Sequence, residues 1–189
     1  MVKDFRHFEP ADVELRFDDS GGVPKFRGYA AVFNSLSKDL GGFREVIRPG
    51  AFRNALSAGK EIACTIDHDV KQPLGLSTNG TVTLREDTRG LYFEVEVPDV
   101  SYARDAAELV KRGLMRGCSF GFYPRTSTQR QRVEGGGRIH ELLDIDVFDV
   151  GPVFNPAYAA TSVSVRNYDE WQTVLDPRNV ERWLKLQTL

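Results

Sequence analysis

Cysteine is nearly absent from this chain: Cys64 and Cys118 are the only two among 189 residues. Two cysteines without a repeated spacing supply neither a disulfide framework nor a metal-ligand set. Small buried hydrophobes are the expected role for both. Histidine is scarce too, with only His7, His68 and His140, so chemistry that needs an imidazole has few sources. No apolar run approaches the ~20 residues of a membrane-spanning helix. The first ten residues, Met1 to Pro10, are charged and lack the apolar stretch of a secretory signal, so an intracellular protein with no membrane attachment is expected. Charge of one sign is also missing. Lys and Arg number 25 against 27 Asp and Glu, a net charge of −2, which excludes a chain that binds nucleic acid through overall basicity. No internal repeat or low-complexity block is present.

What remains is the composition of a globular domain with a core, 41% hydrophobic and 28% charged. Phe26 to Phe33 reads as a strand, followed by a polar loop from Asn34 to Gly42 and a second strand at Glu45 to Ile47. Pro49 opens a short helix with Phe52, Ala55 and Leu56 on one face, and Gly59 stops it. Glu61 to Ile66 is an apolar run that ends just before His68. Gly80 to Leu84 and Leu91 to Val97 alternate as two strands, and Asp87-Thr88-Arg89-Gly90 between them is turn chemistry, so a hairpin is expected. Ser101 caps a helix running from about Tyr102 to Met115, with Ala106, Leu109, Val110 and Leu114 as its apolar stripe and Gly117 at its end. Cys118 to Tyr123 is an apolar strand. Thr126 to Arg138 is polar, with a glycine-rich hairpin tip at Gly135-Gly136-Gly137. Ile139 to Val150 is a further strand, broken by Gly151-Pro152 and Asn155-Pro156, and Ser162 to Val165 is a last short one. Residues 1–166 form the expected globular domain. Residues 167–189, which hold Trp171 and Trp183, read as a partly helical, separable tail. About seven strands and two or three helices, with hairpins dominating, predict an α+β or mainly β fold built on an antiparallel barrel.

Serine-based hydrolysis needs a hydroxyl, a base to accept its proton, a group that supports the base, and donors for the oxyanion. His68 lies in Thr65-Ile66-Asp67-His68-Asp69, where a buried strand meets a polar loop and a side chain can be held rigidly at a cleft. Ser119 lies in Arg116-Gly117-Cys118-Ser119-Phe120-Gly121-Phe122. Gly117 to Gly121 matches G-x-S-x-G, but here the helix precedes the serine and the strand follows it. A nucleophile elbow has the opposite order, which disfavours an α/β-hydrolase. Cys118 alternates to the other face of the same strand, so Cys118 and Ser119 do not both face a cleft. Asp67-His68-Asp69 has no second histidine or cysteine at ligand spacing, so neither a metal nor an organic cofactor is expected.

Five blocks occur in order: Gly28-Tyr29-Ala30-Ala31-Val32-Phe33, Glu45-Val46-Ile47-Arg48-Pro49-Gly50-Ala51-Phe52, His68-Asp69, Gly117-Cys118-Ser119-Phe120-Gly121-Phe122, and Asp149-Val150-Gly151-Pro152-Val153-Phe154-Asn155-Pro156-Ala157. Together they resemble the successive motifs of the tailed-phage prohead protease family, over most of the chain. The resemblance implies a fold similar to the herpesvirus assemblin proteases, a β-barrel core flanked by helices. It implies a serine endopeptidase that cleaves the major capsid protein and its scaffold segment inside the immature capsid in the host cytoplasm, with self-cleavage and self-association. The family serine carries over onto Ser119 and the family histidine onto His68. Asp149 matches the acidic third position, where glutamate is commoner. His140 is an alternative, because assemblin proteases use a second histidine, and Asp146, Asp144 and Glu141 are others on or near the same strand. Gly151 stands where the family often has serine. Backbone donors near Gly117, Gly121 and Gly151 are the oxyanion candidates. A catalytically inactive virion protein of the same fold is the alternative reading, and it predicts a broken triad.

Overall fold

The computed structural model describes residues 4–7, 15–18, 23–37, 40, 42–123, 129–134 and 137–154. The strand expected at Ser162 to Val165, the Asn155-Pro156 break and the tail from residue 167 lie outside them. Twelve strands and two helices occur among the described residues. In chain order the strands are β1 (Asp4–His7), β2 (Leu15–Asp18), β3 (Lys25–Val32), β4 (Phe43–Ile47), β5 (Ala63–Thr65), β6 (Pro73–Leu76), β7 (Val82–Glu86), β8 (Gly90–Glu96), β9 (Gly117–Tyr123), β10 (Gln129–Glu134), β11 (Gly137–Leu142) and β12 (Asp146–Val153). The helices are α1 (Arg53–Ser57) and α2 (Ser101–Lys111).

The strands form three sheets, and the expected barrel is not among them. The orders are β1-β9-β12-β5-β6, β10-β11-β4 and β2-β3-β8-β7. A barrel requires the hydrogen-bond ladder to return from the last strand to the first. Here each sheet ends on two separate edge strands among the described residues. Two pairings are parallel, β12 with β5 and β11 with β4. Parallel neighbours need long connections, so a count of hairpins along the chain does not reveal them. The result is a mixed α+β fold of small sheets.

The local expectations fare better. The hairpin of β7 and β8 turns at Asp87, whose carboxylate accepts the N–H groups of Arg89 and Gly90. Glu86 accepts the N–H groups of Gly50 and Phe52, which satisfies donors at the entry to α1. In α2 the buried residues are Ala103, Ala106 and Ala107. The helix stops earlier than expected, at Gly113 with φ +68° instead of at Gly117, so Leu114 falls beyond it and is exposed. Val100, not Ser101, holds the N-cap position, with no side-chain cap. Gly151-Pro152 does not break the chain but lies inside β12. The single strand expected from Ile139 to Val150 is divided at residues 143–145 between two sheets. Strands β1, β2 and β6 were not anticipated.

The core gathers aromatic residues from separate elements. Phe52 meets Phe120 edge-on at 5.5 Å and stacks on Phe33 at 6.2 Å. Phe26, Phe93 and Val95 of the four-stranded sheet are fully buried, and β3 packs against β9. Fully burying each such side chain stabilises by ~1.5–3 kcal/mol. This packing anchors β9, the strand on which the site is built.

Candidate active site

Strand β9 has two unlike faces. Side chains alternate along a strand, so Cys118, Phe120 and Phe122 share one face and Gly117, Ser119 and Gly121 the other. The bulky set is buried in the core. Across the ladder, Gly151 of β12 stands opposite Ser119, and Asp149 opposite Gly121. Directly opposed residues share a face, so Asp149 lies on the side of the sheet that carries Ser119. Strand β5 is the next neighbour, and His68 follows three residues after it ends.

These elements bring three distant residues into line. His68 Nε2 is 2.6 Å from Ser119 Oγ, and His68 Nδ1 is 2.7 Å from Asp149 Oδ2. A carboxylate only accepts, so the proton between them belongs to Nδ1, and Nε2 is left to accept the serine O–H. Thr65 Oγ1 donates to the same Asp149 oxygen at 2.8 Å. The other oxygen, Oδ1, is buried without a hydrogen-bond partner. Ser119 is 0% exposed and the His68 and Asp149 side chains are each 7% exposed. Such burial withdraws the line from competing water, where its electrostatics are stronger.

Gly151 permits this geometry. A Cβ there would meet the Thr65 carbonyl oxygen at 1.9 Å, so only glycine lets β12 and β5 approach while keeping Thr65 against Asp149. Thr65 escaped the sequence reading, although a hydroxyl residue inside the apolar Glu61 to Ile66 run was the available signal. A β-bulge lies between Val147 and Asp149. Bulges commonly re-aim side chains near active sites, and this one puts Asp146, opposite Tyr123, on the same face as Asp149, opposite Gly121.

The other candidates are elsewhere. Asp146 accepts from Lys60 Nζ at 3.0 Å. Glu141 pairs with Arg48 and Arg132, and Arg48 beside it holds its carboxyl below the usual range despite desolvation. His140 is buried in the three-stranded sheet with its ring stacked on Phe43 at 4.5 Å. Asp144 lies in the connection between β11 and β12. Gly117, Gly121 and Gly151 all occupy ladder positions in β9 and β12. Strand β1 pairs with the other edge of β9 and puts His7 opposite Ser119. Both cysteine thiols are buried, and burial pushes their pKa values up. Asp67, beside His68, is exposed. Desolvation raises its carboxyl, opposed by the Phe154 N–H and by His68.

A serine, an imidazole and a carboxylate in a continuous hydrogen-bonded line are the apparatus of acyl transfer. The model of the caudovirus prohead serine proteases matches residues 11–174. The chain belongs to that family. It is therefore a serine endopeptidase of phage head maturation. No curated protein sequence matches it. Among solved structures it is similar to the bacteriophage T4 capsid assembly protease, gp21, at 10% identity and a TM-score of 0.47, over 80% of this chain and 99% of that one. The five blocks that carry the resemblance all lie within the matched span.

Proposed function

We propose that Ser119 is the nucleophile of this endopeptidase, His68 its general base and Asp149 the residue that supports the base. The observation that carries this reading is the unbroken line from Ser119 Oγ through both ring nitrogens of His68 to Asp149. Ser119 Oγ attacks the scissile carbonyl carbon while His68 Nε2 accepts its proton. Asp149 stabilises the resulting imidazolium through Nδ1–H. The tetrahedral intermediate collapses, the C–N bond breaks, and Nε2–H delivers the proton to the leaving amine. Water, deprotonated by His68, then attacks the acyl-serine ester and releases the acid, which restores Ser119 O–H. The inactive-relative reading requires a broken line, and distances of 2.6 and 2.7 Å disfavour it.

The substrates in this reading are the major capsid protein and its scaffold segment, cut inside the immature head, together with the chain itself. Residues 167–189 are the proposed removable tail, and copies of the protease associate with one another. Co-expression with the capsid protein tests the reading. Ser119→Ala abolishes processing while keeping a cooperative thermal transition, and mass spectrometry finds its own termini uncut. Unchanged capsid processing by that variant refutes the assignment of Ser119.

A further inference from the structure

We propose that Asp67 is a positioning residue for catalysis: its side chain takes the place of its own backbone carbonyl in the β5–β12 ladder, which lets the chain leave the sheet and swing His68 toward Ser119. The proposal rests on the reading of His68 as general base.

The register between β5 and β12 is parallel, with Ala63 opposite Asp149 and Cys64 opposite Val150. Continuing it puts Asp67 opposite Val153. In a parallel ladder a residue donates its N–H to the carbonyl before its partner and accepts, through its own carbonyl, the N–H after it. The first bond is present: Asp67 N–H donates to Pro152 O at 3.0 Å. The second is also made, but by a different acceptor. Phe154 N–H donates to Asp67 Oδ1 at 2.9 Å.

This substitution frees the Asp67 backbone from extended geometry. Asp67 has φ +49° and His68 φ +59°, two consecutive non-glycine residues in the left-handed region. That conformation is sterically unfavourable and persists only where surroundings over-determine it. Aspartate tolerates it better than most residues, and its short side chain reaches the N–H that its carbonyl has abandoned. The far side of the loop is tied by Asp69, which accepts from Lys71 N–H and donates its own N–H to Ile66 O. The turn is therefore clasped at both ends, with His68 between them. Misplacing a catalytic group by about 1 Å costs on the order of 10²-fold in rate.

The test uses the full-length protein and a fluorophosphonate probe, whose reaction with Ser119 reports activation of the serine without a peptide substrate. Asp67→Gly keeps the left-handed freedom but removes the clasp. It should lower the maximal inactivation rate by about 10²-fold and leave the probe concentration for half-maximal rate nearly unchanged. Asp67→Asn retains an oxygen acceptor and the backbone tolerance, and should restore most of the rate. Phe154→Pro deletes the N–H from the other partner, and its effect should not add to that of Asp67→Gly. The low-field proton resonance of the His68–Asp149 bond should broaden in both clasp-deficient variants and persist in Asp67→Asn. Parent-like inactivation by Asp67→Gly and by Phe154→Pro, with Ser119→Ala unlabelled, overturns the clasp and leaves the triad standing. Labelling of Ser119→Ala at the parent rate overturns the triad itself.

Discussion

Replacing Asp149 by asparagine probes the line of hydrogen bonds with almost no change of shape. Two orientations of the new amide are available. In one, its oxygen takes over from Oδ2 and accepts from His68 Nδ1–H and Thr65 O–H, the present bonds at 2.7 and 2.8 Å. The NH2 group then falls where Oδ1 sits, a buried position with no hydrogen-bond partner. Leaving a buried donor unsatisfied costs about 1–3 kcal/mol. In the other orientation the NH2 group faces His68 and Thr65 Oγ1, and the oxygen takes the empty position, which already holds an unpartnered acceptor. The second orientation is therefore favoured, and it forces the imidazole proton onto Nε2, where His68 cannot accept from Ser119. The correct arrangement is left populated at about a tenth to a hundredth, since each 1.4 kcal/mol is tenfold. The imidazolium also loses its anionic partner. A tautomer error of this kind costs about 10⁴ in kcat in the well-studied serine proteases, and an overall loss of about 10³–10⁴ is expected here, or roughly 4–5.5 kcal/mol of barrier. Single-turnover cleavage of the capsid protein measures it, with a thermal melt to show that the fold persists. A loss smaller than about tenfold would falsify the role given to Asp149.

Other perturbations test the supports around the line. Gly151→Ala places a methyl group 1.9 Å from a backbone oxygen that cannot rotate away. It should cost about 1–3 kcal/mol of stability and move Thr65 off Asp149, so a parent-like urea midpoint counts against the close-approach argument. Cys64 and Cys118 should both resist iodoacetamide in the native protein, because burial raises their thiol pKa values and only the thiolate reacts. Labelling of either before urea unfolding contradicts this. Glu141 has its carboxyl pKa lowered in the folded state by the hydrogen bond from Arg48. Its stabilising contribution is thus full above the ordinary unfolded value near ~4.3 and is lost as pH falls through the lower folded value. Glu141→Gln should flatten the fall of the urea midpoint over that acid interval, and an unchanged slope refutes the assignment.

Local order was legible where neighbours along the chain decide it. Strand-like apolar runs announced β3 and β9, alternation announced β7 and β8, and turn chemistry announced the hairpin at Asp87. Scarcity narrowed the base to three histidines, and the glycines flanking Ser119, together with the family resemblance, marked it as the candidate hydroxyl. Tertiary pairing decided the rest. The parallel contacts of β5 with β12 and β4 with β11 split the strands into three sheets and removed the expected barrel. The register of β12 on β9 chose among the acidic residues, because it sets Asp149 opposite Gly121, next along that face from Ser119, and Asp146 farther off, opposite Tyr123. Thr65 became a partner of Asp149 because β5 lies against β12, 84 positions apart along the chain. Short-range propensity cannot encode such register, because the free energy that selects it comes from burying β9 and its neighbours together, after the chain has already turned back on itself.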